Sequence, residues 1–194
     1  KYGDLLMAKR IVDIVKDLIR DKKDIKIAVD MTAGTGKDSK FILDNTEVER
    51  LIAFDIQEEA ERRTKELIGS NPRFSFILDS HAHIDKYIKE PVDLIIYNLG
   101  YLPGADKSIS TKASTTIARL EKALALLKIG SRIIITVYPG HPAGQVENES
   151  LKTYLEGLDN KAYSILEISY TNRPKNPPYI LSLIHISEPT RRYA

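Results

Sequence analysis

Asp30, Asp55, Asp79 and Asn98 each close an apolar run, and Tyr138, Gly140 and His141 follow a fifth. Where strands alternate with helices, ligands bind at the carboxyl ends of the strands. The regular placement of these residues therefore predicts one shared site. The loop after Asp30 carries Gly34 and Gly36 and then opens a helical pattern. Such a loop lets backbone approach a ligand closely and points free N–H groups at it, as a nucleotide-like cofactor requires.

Asp55 lies 19 positions after Gly36. From there a carboxylate can accept hydrogen bonds from both ribose hydroxyls of an adenosine, or cap the helix that opens at Gln57 and Glu58. Asp79 and Ser80 can hold the exocyclic amine of adenine or cap a helix, and Asp30 can face an amino-acid tail or brace the glycine loop. The dinucleotide fingerprint wants a third glycine where this chain has Ser39, so a nicotinamide-dependent oxidoreductase is the weaker reading of the same layout.

Asn98-Leu99-Gly100-Tyr101 ends the fourth run. An amine nucleophile needs acceptors for its hydrogens, here the Asn98 side-chain oxygen and a backbone carbonyl, and an aromatic ring can stack on a planar base. His141 can serve as the base for an ammonium substrate or simply bond backbone. His81, His83 and Asp85 lack the further ligands that a binuclear metal site needs, so no metal is expected.

The elements that must position these residues follow from apolar spacing. Helices are predicted over 5–19, 37–43, 58–68, 114–127 and 149–158, with Gly130 stopping the fourth. Strands are predicted over 25–30, 51–55, 74–78, 92–97, 132–138 and 163–170. The alternation predicts a single α/β domain: a mostly parallel sheet with helices on both faces.

The 194 residues carry 29 Lys+Arg against 27 Asp+Glu, a net charge of +2 and a pI near 8.6, which permits a nucleic-acid partner without demanding one. With no cysteine, a disulfide framework, a thiolate metal site and a cysteine-adduct mechanism are excluded. No apolar run approaches the roughly 20 residues of a membrane span, and a cytoplasmic protein is the expectation. Leu181 to Arg191 reads LSLIHISEPTR and resembles the translated mosaic-end adapter of transposase-based sequencing libraries. The expected organisation is a catalytic domain over 1–180 and a non-native tail over 181–194. By composition LSLIHI suits an edge strand.

TAGTGKD, FDIQ, DSHAH, NLGYLPGADKSIST and VYPGHPAGQVE resemble, in order and spacing, the YtqB-like class I methyltransferases, long labelled rRNA methylases. The Asn98 loop is similar to the Asn-Pro-Pro-Tyr loop of methyltransferases that act on amino groups. The resemblance implies a Rossmann-like fold, S-adenosylmethionine as cofactor, and methylation of 5-aminomethyl-2-thiouridine at the wobble position of tRNA. Methylation of rRNA or of a small molecule, and a non-catalytic nucleotide-binding domain, are the alternatives. It implies cofactor contacts from Asp30, Thr32, Gly34, Gly36, Asp55, Gln57, Asp79, Ser80, His81 and Asn98. The catalytic residues implied are Asn98, Leu99, Gly100, Tyr101 and His141. The implied substrate contacts are Tyr101, Asp106, Lys107, Ser108, Tyr138, Gly140 and His141. The expected partner is a tRNA anticodon stem-loop, whose wobble base must leave its stack; a homodimer is compatible with the sequence.

Overall fold

The computed structural model describes residues 9–100, 113–139, 142–173 and 176–187. Among them the chain forms seven strands: β1 (Ile27–Asp30), β2 (Arg50–Asp55), β3 (Phe74–Leu78), β4 (Val92–Leu99), β5 (Leu127–Val137), β6 (Tyr163–Ile168) and β7 (Tyr179–His185). Between them lie α1 (Ile11–Asp21), α2 (Lys37–Asn45), α3 (Glu58–Ile68), a 3-10 turn (His81–His83), α4 (Ile84–Tyr87), α5 (Ala113–Leu124) and α6 (Pro142–Glu156).

The strands form one sheet in the order β3-β2-β1-β4-β5-β7-β6. The first five run parallel, and β7 pairs antiparallel with both β5 and β6. This is the α/β architecture that the alternation of strands and helices predicts. Side chains alternate across β4. Leu94 and Ile96 join α1 and α2 residues such as Ile19 and Ile42 on one face. Ile95, Tyr97 and Leu99 join Ile84, Leu120 and Leu155 of α4, α5 and α6 on the other. Each fully buried Leu or Ile contributes about 1.5–3 kcal/mol to the union of the layers.

Several elements depart from expectation. Asn98 and Leu99 extend β4 because they pair with Thr136 and Val137 of β5. The fourth predicted helix ends three residues early, at Leu124. Gly130, with φ +87°, lies inside β5 rather than at a helix stop. Helix α6 starts seven residues before the predicted Glu149, with Pro142 at its first position, where a missing N–H costs nothing. LSLIHI is a strand but not an edge: β7 lies inside the sheet, and the boundary at Ile180 falls within it. No described helix is long and apolar enough to cross a membrane.

Candidate active site at the strand ends

The turn from β1 into α2 is held from below by Asp30. Its side chain is fully buried; Oδ1 accepts the Thr32 N–H at 3.1 Å and Oδ2 accepts the Ser39 hydroxyl at 2.7 Å. Burial, then the negative charges of Asp38 and Asp55, push the Asp30 carboxyl up to about 7 against the pull of those hydrogen bonds. Ser39, in place of the third fingerprint glycine, thus ties the helix to the strand end. Gly36 caps α2 with φ +76°, and a Cβ there would lie 2.8 Å from Thr64 Cγ2 of α3, so only glycine fits.

Asp55 fixes the mouth of the same loop. Its Oδ2 accepts the Gly34 N–H at 2.9 Å and its Oδ1 accepts the Gln57 N–H at 3.1 Å. The helix-capping position belongs to Gln57, so Asp55 does not cap α3. Next to it stand two exposed apolar side chains, Ile56 at 65 % and Leu78 at 43 %, the latter paired with Asp55 across β2 and β3. Exposed apolar groups flanking a carboxylate suit a flat base and its ribose.

Asp79 follows β3. Hydrogen bonds from Tyr87 Oη at 2.7 Å, His83 Nδ1 at 2.9 Å and the Ser80 N–H at 2.7 Å hold its carboxyl down at about 2. Ser80 caps the 3-10 turn, its hydroxyl accepting the Ala82 N–H. His81 turns towards the core. Its ring meets Tyr97 edge-on, with Nε2 3.3 Å from the Tyr97 hydroxyl. Burial, helped by the nearby Arg119 charge, pushes its imidazole down to about 4. Among the described residues no three His, Cys, Asp or Glu side chains converge as a metal site.

Asn98 brings β4 to the glycine loop. Its backbone N–H donates to Thr32 Oγ1 at 2.8 Å, and its Nδ2 donates to Asp38 Oδ2 at 3.0 Å. The Leu99 carbonyl accepts the Tyr138 N–H at 2.9 Å, so β5 closes the next side. At this surface hydrogen bonds join Thr32 to Asn98 and Gly34 to Asp55 along the loop that Gly36 ends, with Asp30 buried beneath it on Thr32 and with Asp79, Ser80, Gly100 and Tyr138 at neighbouring strand ends. Tyr101, Asp106, Lys107, Ser108, Gly140 and His141 lie outside the described residues.

Sequence reasoning missed two members of this surface, Asp38 and Ser39. Ser39 showed only as a missing glycine, and Asp38 only as the last residue of TAGTGKD. A separate groove of about 320 Å³ runs between α6 and β6, lined by Lys152, Leu155, Tyr163, Ile165 and Glu167 among others. None of its residues belongs to the strand-end surface.

The chain is similar to the Arabidopsis thaliana protein named tRNA (mnm(5)s(2)U34)-methyltransferase, chloroplastic. The two are 30 % identical over 184 residues, covering 88 % of this chain and 66 % of that protein, so the chain spans just under two thirds of the relative's length. Among solved structures, a putative rRNA-methylase from Clostridium thermocellum matches with 34 % identity and a TM-score of 0.84, over 93 % of this chain and 100 % of that one. A putative methyltransferase from Streptococcus mutans, solved in complex with SAH, matches with 30 % identity and a TM-score of 0.81 over the same shares. The model of the family described as "Putative rRNA methylase" matches residues 51–184. By that match and by its Rossmann-like fold, the chain belongs to the rRNA methylase family of class I methyltransferases.

Proposed function

We propose that the protein is an S-adenosylmethionine-dependent RNA methyltransferase whose acceptor is an amine, the 5-aminomethyl group of wobble 2-thiouridine in tRNA. The observation that carries the reading is the joining of Asn98 to the glycine loop through Thr32, which sets an amine-binding group beside a cofactor-binding one. The cofactor's chemistry matches the residues present. The Gly34–Gly36 turn suits its methionine end, Asp55 its ribose, and Ile56 with Leu78 its adenine. Asp55, whose carboxylate holds the Gly34 N–H, sets a negative charge at the mouth of the loop that favours a cation.

Bound there, S-adenosylmethionine would supply an electrophilic methyl group on a positively charged sulfur able to keep the electron pair of the S–C bond. The Asn98 side-chain oxygen accepts a hydrogen of the neutral amine and aims its lone pair at the methyl carbon. The new N–C bond forms in line, and the nitrogen then sheds a proton to solvent. The tRNA substrate is supported by the name of the Arabidopsis relative, while the description of the family supports rRNA.

Labelled S-adenosylmethionine, offered with tRNA and rRNA from cells lacking the last wobble-uridine methylation, tests the reading. Label in 5-methylaminomethyl-2-thiouridine, lost with Asn98→Ala while cofactor binding persists, is expected. Label in an rRNA nucleoside would move the assignment to rRNA. Absence of cofactor binding in calorimetry would sink the methyltransferase reading itself.

A further inference from the structure

We infer that Asp38 is a positioning residue: it turns the Asn98 carboxamide so that the oxygen, not the nitrogen, faces the methyl-accepting amine. The inference rests on the amine reading of the site given above.

A carboxamide has an accepting end and a donating end, and the two have nearly the same shape. For an amine nucleophile they are opposites. The oxygen takes one of its hydrogens and leaves the lone pair free, whereas the N–H group would donate to that lone pair and quench the nucleophile. A neighbour must therefore choose the end.

Asp38 makes that choice. A carboxylate only accepts, and its Oδ2 lies 3.0 Å from the Asn98 side-chain nitrogen. The reversed carboxamide would set oxygen against oxygen. Both partners are anchored independently. The Asn98 backbone is pinned by the Thr32 hydroxyl at 2.8 Å, and the strand around it is paired with Thr136. Asp38 stands in the first turn of α2, whose free N–H groups favour a negative side chain, and α2 is tied to β1 by Ser39. With the backbone of both residues held, the side-chain flip of Asn98 is the freedom that remains, and Asp38 removes it. Asp38 lies 60 positions from Asn98 and touches the chemistry only through it.

Asparagine-selective 15N spectra of the folded protein, with methyl-transfer kinetics, test this. The Asn98 side-chain signal is identified by its loss in Asn98→Ala. In Asp38→Ala it should move to the position of a free amide, and in Asp38→Asn, whose oxygen accepts in one of its two orientations, it should fall between that and the wild-type position. Asp38→Ala should slow the transfer step about 100-fold with cofactor affinity and KM changed by less than about twofold, and Asp38→Asn should recover much of the rate. The double variant Asp38→Ala/Asn98→Ala should be no slower than Asn98→Ala alone. An Asn98 signal unmoved in Asp38→Ala, losses that multiply in the double variant, or an unimpaired transfer rate in Asp38→Ala would each overturn the inference. A wild-type protein that transfers no methyl to an amine would instead overturn the functional reading, and the Asn98 signal would still decide the orientation.

Discussion

Gly100 and Tyr138 meet backbone against backbone: a Cβ on Gly100 would lie 2.7 Å from the Tyr138 carbonyl oxygen. Gly100 also has φ +80°, a conformation that a side chain resists. The end of β4 and the end of β5 can approach this closely only because that position has no side chain. Gly100→Ala is expected to lower stability by about 1–3 kcal/mol. It should also slow methyl transfer more than it weakens cofactor binding. Urea unfolding and single-turnover rates check the two parts.

Ile56 is 65 % exposed and so contributes little to folding. Under the proposed function, its place beside Asp55 would make it a wall for the cofactor's base. Ile56→Ser should weaken cofactor binding about tenfold, the effect of roughly 1.4 kcal/mol of lost apolar contact, without lowering the melting temperature. Calorimetric titration beside a thermal melt separates the two.

Asp30 and His81 oppose each other in acid. Above its ordinary value of 3.8 the unfolded chain ionises Asp30, while the folded chain keeps it protonated up to about 7. Its favourable share of stability is thus full below about pH 4 and is lost as the pH rises through about 7. Below its ordinary value of 6.5 the unfolded chain protonates His81, while the part-buried ring in the folded chain refuses the proton until about 4. That share is lost as the pH falls through the same window. Denaturant midpoints measured between about pH 4 and 7 should change little for the wild type with respect to these two groups. They should fall on acidification in Asp30→Asn and rise on acidification in His81→Phe.

His185 is buried at 4 % exposure with neither ring nitrogen hydrogen-bonded, stacked on Tyr163 with ring centroids 5.0 Å apart. His185→Phe keeps the stack and removes two unsatisfied polar atoms. It should raise stability by about 1–3 kcal/mol, read as a higher urea midpoint.

The strand ends were legible because Asp30, Asp55 and Asp79 interrupt β-branched and aromatic runs that local periodicity reveals. Asn98 was placed correctly in the chain, but its strand runs one residue past it, since a polar side chain hides a pairing that only β5 supplies. Gly130 reads locally as a helix stop, yet it falls in the irregular stretch of β5 between Leu127 and Arg132, the partners of Val92 and Leu94 in β4. The position of β7 was not legible, because alternating apolar residues specify a strand and not its neighbours. Asp38 and Ser39 escaped for the same reason. Their partners, Asn98 and Asp30, come from other elements, and no window of sequence contains the Asp38–Asn98 pair.

The insertion of β7 between β5 and β6 has a consequence for how the chain comes off the ribosome. Every other described strand emerges before Tyr179, yet β5 lacks one neighbour and β6 has none to pair with until β7 arrives. While residues up to 178 are being made, the open side of β5 offers unpaired N–H and carbonyl groups to any passing strand. The nascent protein is thus at its most adhesive before β7 emerges, and the pairing of β7 with both neighbours closes that side of β5.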